Sequence, residues 1–542
     1  MRGARFNPEK GCFPGTRRRF LTAITRWMND TSPSCPKALV LFGQAGMGKS
    51  SIAHEIAYQF HASDQLTTSY CFIRGCSSGL EPHRFFTTLA RNLCVRYPAF
   101  KASLCTITRK NPDLLAAEDY TTLFKSLIVD PLKGLHFIGP IVIVIDALDE
   151  CKGADGRGRH TGGNRIPFHS FLGQHLHELP SKFRILMTSR PEPHILASFP
   201  PSPYLLHMQI DDSELSREVD DDILTYLRVK LRGAGVDELS LVELARKAER
   251  LFQWASVASE YVVNSPPGLS SMQCIHRVLH PTDGRKGLNP LDTLYMTVLE
   301  RFDMDDQEVH DGFQSVIGQI LGAYQPLSTT SHNMIHRHAV DRATRSTIQD
   351  ISVVIEHLAS LLSNVSPVNS TIPIALLHTS FRDFLTDSKR SHKFHINMDA
   401  AHNQLATATL RTMQAMLRFN ICELETSYYF NSNIPNLNDR IEKHIPSALS
   451  YSCRFWADHL ALVSHFDAEL FKCVKTLIEK KFLFWLEILS LEEELITATP
   501  TLLRLKTWLG QMRDKASNVS NPRRPLRFAA LTMKPGSEGR NT

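Results

Sequence analysis

Ala38-Leu39-Val40-Leu41-Phe42-Gly43-Gln44-Ala45-Gly46-Met47-Gly48-Lys49-Ser50-Ser51 is the stretch whose reading decides the fold. The unbroken apolar run Ala38–Phe42 reads as a strand buried on both faces, and Ser51-Ile52-Ala53-His54-Glu55-Ile56-Ala57 reads as the start of a helix. Gly43, Gly46 and Gly48 carry no Cβ, so the backbone between the two can turn tightly. It can then aim successive N–H groups at phosphates, which also meet the positive end of the following helix. The stretch is therefore a P-loop in its strand–loop–helix setting. Gly43, Gln44, Ala45, Gly46, Met47, Gly48, Lys49, Ser50 and Ser51 are the expected nucleotide-binding residues. Lys49 is expected to reach the β- and γ-phosphates, and the Ser50 hydroxyl to ligate Mg²⁺. A chance glycine-rich turn is the alternative for the bare pattern, and the context downstream decides against it.

That context is Ile141-Val142-Ile143-Val144-Ile145, running straight into Asp146-Ala147-Leu148-Asp149-Glu150-Cys151. A β-branched run without polar alternation is the mark of a central parallel strand. A carboxylate at the carboxyl end of such a strand, where α/β sheets bind ligands, can hold the Mg²⁺ that bridges the phosphates, and Asp146 fits that role. Asp149 and Glu150 lie three and four residues on, placed to orient or deprotonate an attacking water. Phe183-Arg184-Ile185-Leu186-Met187-Thr188-Ser189-Arg190 reads as a further strand, and its terminal Arg190 is expected at the γ-phosphate. Asp149, Glu150 and Arg190 are thus the candidate catalytic residues, with Ser50 and Asp146 the candidate Mg²⁺ ligands.

A chain of 542 residues is too long for one core and should split into about three or four domains. With 42% hydrophobic and 21% charged residues these are ordinary globular domains. The net charge of +6 is small for this length, and no Lys/Arg stripe is interleaved with aromatics, so no nucleic-acid partner is expected. The Arg17-Arg18-Arg19 cluster reads as a solvated helix end. The 11 cysteines show no CxxC pair or metal-type spacing and read as reduced, mostly buried thiols. No apolar run approaches the roughly 18 residues of a membrane span, and the N-terminal residues lack the apolar core of a signal peptide. A cytoplasmic protein with no membrane partner is expected.

Along the chain, the expected division is a lead-in segment at 1–36, a P-loop domain at 37–210, a helical lid and linker at 211–290, a winged-helix-like domain at 291–395, a helical C-terminal domain at 396–514 and a disordered tail at 515–542. Strand and helix signals alternate through the first 210 residues, implying a parallel sheet with crossover helices. The Gly- and Arg-rich stretch 152–167 reads as a mobile insertion loop. From Ser216 the period turns helical, with one helix through Val219, Ile223, Leu227 and Leu231 and another from about Leu239 to Val263. Asn264–Pro290 reads as linker. Further helices are expected near Phe313–Ala323 and Ile348–Leu362, then a strand at Ile374–His378 and helices over Ala400–Met512. The fold class is an α/β P-loop NTPase domain followed by helical lid, winged-helix-like and all-α regions. No internal period of 20–50 residues is visible, so no repeat array is expected.

The chain resembles the fungal NACHT-type P-loop proteins of the STAND class, whose nucleotide module is similar to the nephrocystin-3-like N-terminal domain. The resemblance runs through Gly11-Cys12-Phe13-Pro14-Gly15-Thr16-Arg17, the P-loop, Val144–Cys151, Thr188-Ser189-Arg190-Pro191-Glu192, Pro326-Leu327-Ser328 and His378-Thr379-Ser380-Phe381-Arg382-Asp383-Phe384-Leu385. Asn420-Ile421-Cys422 and Trp485-Leu486-Glu487 extend it, so it covers roughly Gly11–Leu491. It implies a molecular switch in signalling or innate-immunity-like self/nonself recognition. In such a switch ATP or GTP is held between the P-loop domain, a helical lid and a winged-helix domain, and exchange or slow hydrolysis opens the molecule for self-association through the NTPase domain and for an unidentified protein effector. It also implies that His378 contacts the β-phosphate of bound diphosphate; from its spacing alone, a lone His beside a core strand reads as a structural residue. Where the family has a Gly-Leu-Phe-Ile-Tyr-like turn in the lid, this chain has Arg250-Leu251-Phe252-Gln253-Trp254, a departure on the adenine side. The family's effector region and WD40, ankyrin or TPR repeats are not expected in this chain.

Two classes of function are compatible with these readings. One is an NTP-hydrolysing switch; the other is an interaction or scaffold protein that binds nucleotide only to stay folded, without turnover. An ABC-type ATPase lacks its signature here, and a small-molecule kinase has no use for more than 300 residues of helical appendage.

Overall fold

Residues that are apolar on both faces of a strand need cover on both sides, and the sheet obtains it. In the computed structural model, β1 (Ala38–Phe42), β2 (Leu66–Cys71), β3 (Ile141–Asp146), β4 (Phe183–Ser189) and β5 (Leu205–Gln209) form a parallel sheet in the order β2-β3-β4-β1-β5. Every residue of β1, β3 and β4 is buried, whereas β5 at the edge is partly exposed. Successive side chains point to opposite faces. Val40, Ile143, Ile145, Ile185 and Met187 pack with Phe85, Phe86, Phe124, Phe168 and Phe171 on one side. Leu39, Leu41, Val142, Val144 and Leu186 pack on the other with Phe20, Ile24, Ile52, Ile56 and Phe60. The latter come from helix α1 (Arg18–Asn29) and helix α2 (Lys49–Ala62), which begins inside the P-loop.

The structure describes residues 6–519 apart from 73–81, 112–113, 115–116, 118, 138, 152–165, 212–217, 266–267, 281–288, 340–350, 364, 366–370, 427 and 466. The insertion loop expected at 152–167 falls almost wholly outside the described residues, as do positions 520–542 of the expected tail. The last helix continues to Val519, past the point where that tail was expected to begin. Two units result, Met1–Gln404 and Leu405–Thr542.

Within the first unit, helices Val219–Lys230, Glu238–Lys247, Phe252–Val263 and Ser271–Leu279 come after the sheet. The last of these lies where a linker was expected. A capping box between Ser270 and Gln273 starts it, and Cys274, Ile275 and Val278 give it a buried face. The single helix expected over Leu239–Val263 is two, broken where Glu249 and Arg250 take positive φ values of 45° and 65°. Helices Pro290–Leu299, Gln307–Gly322, Thr329–Ala339 and Ser352–His357 then surround a small antiparallel sheet. Its strands β6 (Leu327–Ser328), β7 (Leu362–Ser363) and β8 (Pro373–Leu376) are ordered β6-β8-β7, a winged-helix-like arrangement. Helix Thr379–Leu385 leaves β8, and Trp254, Tyr295, Phe313, Phe381 and Phe384 join one core with the preceding helices. The architecture is an α/β P-loop NTPase fold followed by helical and winged-helix-like regions and then an all-α region. No helix among the described residues is long and apolar enough to cross a membrane.

In the second unit Trp456 and Trp485 meet edge to face at 6.0 Å, and the Trp485 indole N–H donates to the Cys453 carbonyl at 2.8 Å. The two motifs that extend the resemblance touch. Glu487 accepts the backbone N–H groups of Asn420 and Ile421 at 3.3 and 3.1 Å, where the chain turns with Asn420 at φ 49°. A half-buried carboxylate holding two amides is worth about 1–3 kcal/mol. Glu487→Ala is expected to lower the stability of this unit by that amount, read from thermal unfolding of the full chain. An unchanged melt would show that the turn holds itself.

Candidate functional site

Gly48 sits at φ 88° as the residue before α2, and Gly46 at φ 82°, so both positions need the left-handed region that glycine enters without a Cβ penalty. Four of the loop's carbonyl oxygens are held by side-chain or distant backbone donors. Lys49 Nζ donates to the Gly43 and Gln44 carbonyls at 2.7 and 2.9 Å, the Gln253 backbone N–H to the Gly46 carbonyl at 3.0 Å, and Arg17 Nη2 to the Met47 carbonyl at 2.6 Å. Burial lowers the Lys49 pKa to about 8, against the pull of Asp149. Ser50 is exposed at the first turn of α2, with Ser51 beside it.

Arg17 corrects the expectation of a solvated arginine cluster. Arg18 and Arg19 are exposed, but Arg17, at φ 57° before α1, turns inward and is 3% exposed. Its guanidinium lies 4.8 Å from the Phe252 ring, and its backbone N–H donates to Asp222 at 2.9 Å.

The sheet order sets β4 between β1 and β3, so the P-loop, Asp146 and Arg190 all emerge at one edge. Asp146 Oδ1 accepts the Thr188 hydroxyl at 2.5 Å, and the Thr188 oxygen accepts the Ala147 N–H at 2.9 Å. The other Asp146 oxygen faces His54 Nε2 at 4.0 Å. Cys71 completes a buried group whose donor atoms lie within 4.8 Å of one another, a proximity invisible in the sequence spacing. Asp149 is engaged by Arg190 twice. The backbone N–H donates to Oδ1 at 3.1 Å, and Nε lies 3.1 Å from Oδ2. Arg190 Nη1 reaches Asp383 on helix Thr379–Leu385 at 2.8 Å. Burial works against the Arg190 charge, but Asp383 and Asp149 outweigh it and raise its pKa. Glu150 is buried in the same turn as Asp149.

His378 precedes helix Thr379–Leu385 and caps it, its Nδ1 accepting the Ser380 backbone N–H at 3.0 Å. A backbone N–H can only donate, so this nitrogen carries no proton. The Ser380 hydroxyl donates to the same Nδ1 at 2.7 Å and accepts from the Tyr295 hydroxyl at 2.7 Å. The neutral ring therefore bears its proton on Nε2. Burial, together with the charges of Lys49 and Arg190, holds its pKa down to about 4. Arg17, Thr188, Gln253, Tyr295, Ser380 and Asp383 are participants that residue chemistry alone did not single out. Arg17, Thr188, Ser380 and Asp383 do fall inside the motifs quoted for the resemblance.

A glycine-rich strand–loop–helix cradle with an acidic strand end at the same sheet edge is the arrangement of the P-loop class of nucleotide-binding folds, and Arg190 follows the strand between them. The family model described as Nephrocystin 3, N-terminal matches residues 15–190, from the turn before α1 through Arg190. No curated protein matches the chain. Among solved structures, the chain is similar to a signal transduction ATPase with numerous domains (STAND) protein with a tetratricopeptide repeat sensor from Pyrococcus horikoshii. The identity is 13% and the TM-score 0.36, covering 94% of this chain and 65% of that one, a little under two thirds of its length. It is also similar to a chain of the HORMA:CdnC:Trip13 complex from E. coli, at 14% identity and TM-score 0.26, covering 50% of this chain and 89% of that one. At those scores the fold assignment rests on the strand order and register above.

The His378 pKa generates a pH prediction. The ring titrates at about 4 in the folded chain against an ordinary 6.5, so below 6.5 the unfolded chain takes up a proton that the folded chain refuses. Stability is then lost as pH falls from 6.5 toward 4. His169, His332 and His402, also held near 4 with burial as the main cause, add to the same slope. His378→Gln is expected to make the fall of the thermal midpoint across this window shallower by one proton's share; an identical slope would mean that His378 titrates normally.

Proposed function

We propose that the chain is a nucleotide-operated switch that binds ATP or GTP with Mg²⁺ and hydrolyses it slowly, in signalling of an innate-immunity-like or self/nonself kind. The observation that carries this reading is the convergence of Lys49, Asp146, Arg190 and His378 at one edge of the sheet. Three of these come from the α/β domain and the fourth from the winged-helix-like region. In this reading the N–H groups of residues 43–51 cradle the phosphates, Lys49 turns from the loop carbonyls to the β- and γ-phosphates, and Nε2–H of His378 donates to the β-phosphate.

Ser50 and Asp146 supply hard oxygen donors, which suit Mg²⁺ better than the softer His54 and Cys71 beside them. Ser50 and Asp146 would hold a Mg²⁺ there, and it would supply charge neutralisation for the phosphates. Both Asp149 oxygens serve Arg190. In this reading Glu150, buried in the same turn, orients the water, and Asp149 positions the arginine. Self-association through the P-loop domain and an unidentified protein effector are the partners this reading implies. The domain limits at 36, 210, 290, 395 and 514 are its working boundaries, and the cytoplasm its working location.

The second reading, a nucleotide-stabilised scaffold without turnover, is favoured by the engagement of Arg190 with two carboxylates. Ligand binding at 100 times Kd stabilises a fold by about 2.7 kcal/mol with no chemistry at all.

Removing a charge-assisted contact to phosphate costs about 1.5–3 kcal/mol, roughly 10- to 150-fold in affinity. Lys49→Ala is expected to lose that much binding of a fluorescent nucleotide at fixed Mg²⁺ and salt, with the fold retained. Equal binding by mutant and wild type would remove the phosphate site. Glu150→Gln is expected to leave binding intact and to cut phosphate release roughly 100-fold or more. A wild type that retains nucleotide without releasing phosphate would establish the scaffold instead. Identifying the nucleotide that co-purifies separates adenine from guanine.

A further inference from the structure

We propose that Asp383 sets the preference between diphosphate and triphosphate by competing with a γ-phosphate for the Arg190 guanidinium; this rests on the reading of the P-loop as a nucleotide site. Arg190 leaves the end of β4 with its guanidinium bridging two carboxylates of different origin. Nε lies 3.1 Å from Asp149 Oδ2, in the turn after β3. Nη1 lies 2.8 Å from Asp383 Oδ2, 193 residues along the chain in the helix that His378 caps. The Arg190 and Asp383 side chains are 20% and 17% exposed, so the pair is only weakly screened by solvent.

Asp383, Asp149 and Glu150 all act on Arg190, Lys49 lies within electrostatic reach, and His378 is neutral. A diphosphate held by Lys49 leaves the Arg190–Asp383 pair undisturbed. A γ-phosphate adds up to two negative charges on the side that Arg190 and Lys49 face. Unlike the Lys49 ammonium, the guanidinium is not tied to the loop carbonyls, and its planar fork cannot serve Asp149, Asp383 and a phosphate with equal geometry. Asp149 holds Arg190 through the backbone N–H as well as Nε, whereas the Asp383 contact comes from another region of the fold and is made at Nη1 of the guanidinium. Asp383 is therefore the partner displaced.

Linkage has two consequences here. Whatever the Arg190–Asp383 contact contributes is lost when a triphosphate binds, so it weakens triphosphate and spares diphosphate. Reciprocally, the triphosphate weakens the hold of the α/β domain on the helix that carries Asp383 and is capped by His378.

The test uses the full chain with fluorescent diphosphate and non-hydrolysable triphosphate analogues of adenine and guanine. Asp383→Asn keeps the shape and removes the competing charge. It is expected to tighten triphosphate over diphosphate by roughly 5- to 150-fold, the usual range of site-to-site coupling, with diphosphate affinity unchanged. Asp383→Glu is expected to restore the wild-type ratio. In an Arg190→Gln background, Asp383→Asn is expected to leave the ratio where it stands, since the contested cation is gone. Equal changes for both nucleotides, or a ratio shift that persists without Arg190, would overturn the proposal and make Asp383 a packing residue. If the Asn variant does not fold, the Glu variant and the Arg190→Gln single mutant decide, because competition requires the latter to lose triphosphate affinity selectively. A wild type that binds neither analogue would instead refute the nucleotide reading itself, a result distinguishable from a wild type that binds both with an unmoved ratio in the variants.

Discussion

A peptide loop that turns its N–H groups toward an anion must satisfy its buried carbonyl oxygens elsewhere, and the carbonyls of Gly43, Gln44, Gly46 and Met47 are held from three directions. Lys49 takes the carbonyls of Gly43 and Gln44, the backbone of Gln253 that of Gly46, and Arg17 that of Met47. Each bond contributes only about 1 kcal/mol net, but an orphaned buried carbonyl costs about 1–3 kcal/mol, so the buried Gly46 and Met47 carbonyls depend on the Gln253 and Arg17 donors, which stay in place when Lys49 turns to a phosphate. Both donors lie outside the strand–loop–helix unit. The loop conformation is therefore a property of the assembled first unit, in which the segment before α1 and the helix Phe252–Val263 both press on the cradle.

Gly46 shows how tight that pressure is. A Cβ there would lie 3.0 Å from Gln253 Cβ and 3.2 Å from Leu291 Cδ1. The glycine is required by its φ of 82° and again by the neighbours that cover it. Burying the Arg17 cation in the same place is expensive. Burial lowers its pKa, and Asp222 opposes that shift. The Phe252 face and the Met47 carbonyl offset part of the cost, so Arg17 belongs to the seam between loop and lid and not to the solvated surface.

What was legible in the sequence was whatever local pattern controls. The unalternating runs of β1, β3 and β4 announce strands covered on both faces, and the glycine spacing announces the loop, because both are dictated by residues within a few positions of one another. The same patterns put Asp146 and Arg190 at one edge. Partners decided by long-range packing were not legible. Asp383 meets Arg190 across 193 residues, Tyr295 meets Ser380 across 85, and Glu487 meets Ile421 across 66. The arginine cluster misled for a related reason. Composition treats Arg17, Arg18 and Arg19 alike, yet a single left-handed residue before α1 sends the first inward and leaves the others in water. The helix at Ser271–Leu279 was hidden by flanking Pro and Gly, although the Ser270/Gln273 capping pair was readable in principle.

The departure in the lid turn takes on a physical meaning in this light. Glu249 and Arg250 both adopt positive φ, at 45° and 65°. A left-handed conformation costs a side chain with a Cβ roughly 1–2 kcal/mol. The turn is kept because it delivers the next residues to the loop: Phe252 lands against Arg17, and Gln253 lands on Gly46. The positive φ of Glu249 and Arg250 therefore places backbone strain at the turn between the helices Glu238–Lys247 and Phe252–Val263, strain that the contacts at Arg17 and Gly46 must outweigh for the cradle to keep its shape. The exposed Arg250–Asp220 pair, at 3.5 Å with both side chains about half in solvent, is too weak to offset it alone. The balance thus falls on the buried contacts at the loop, the same contacts that orient the phosphate-facing amides.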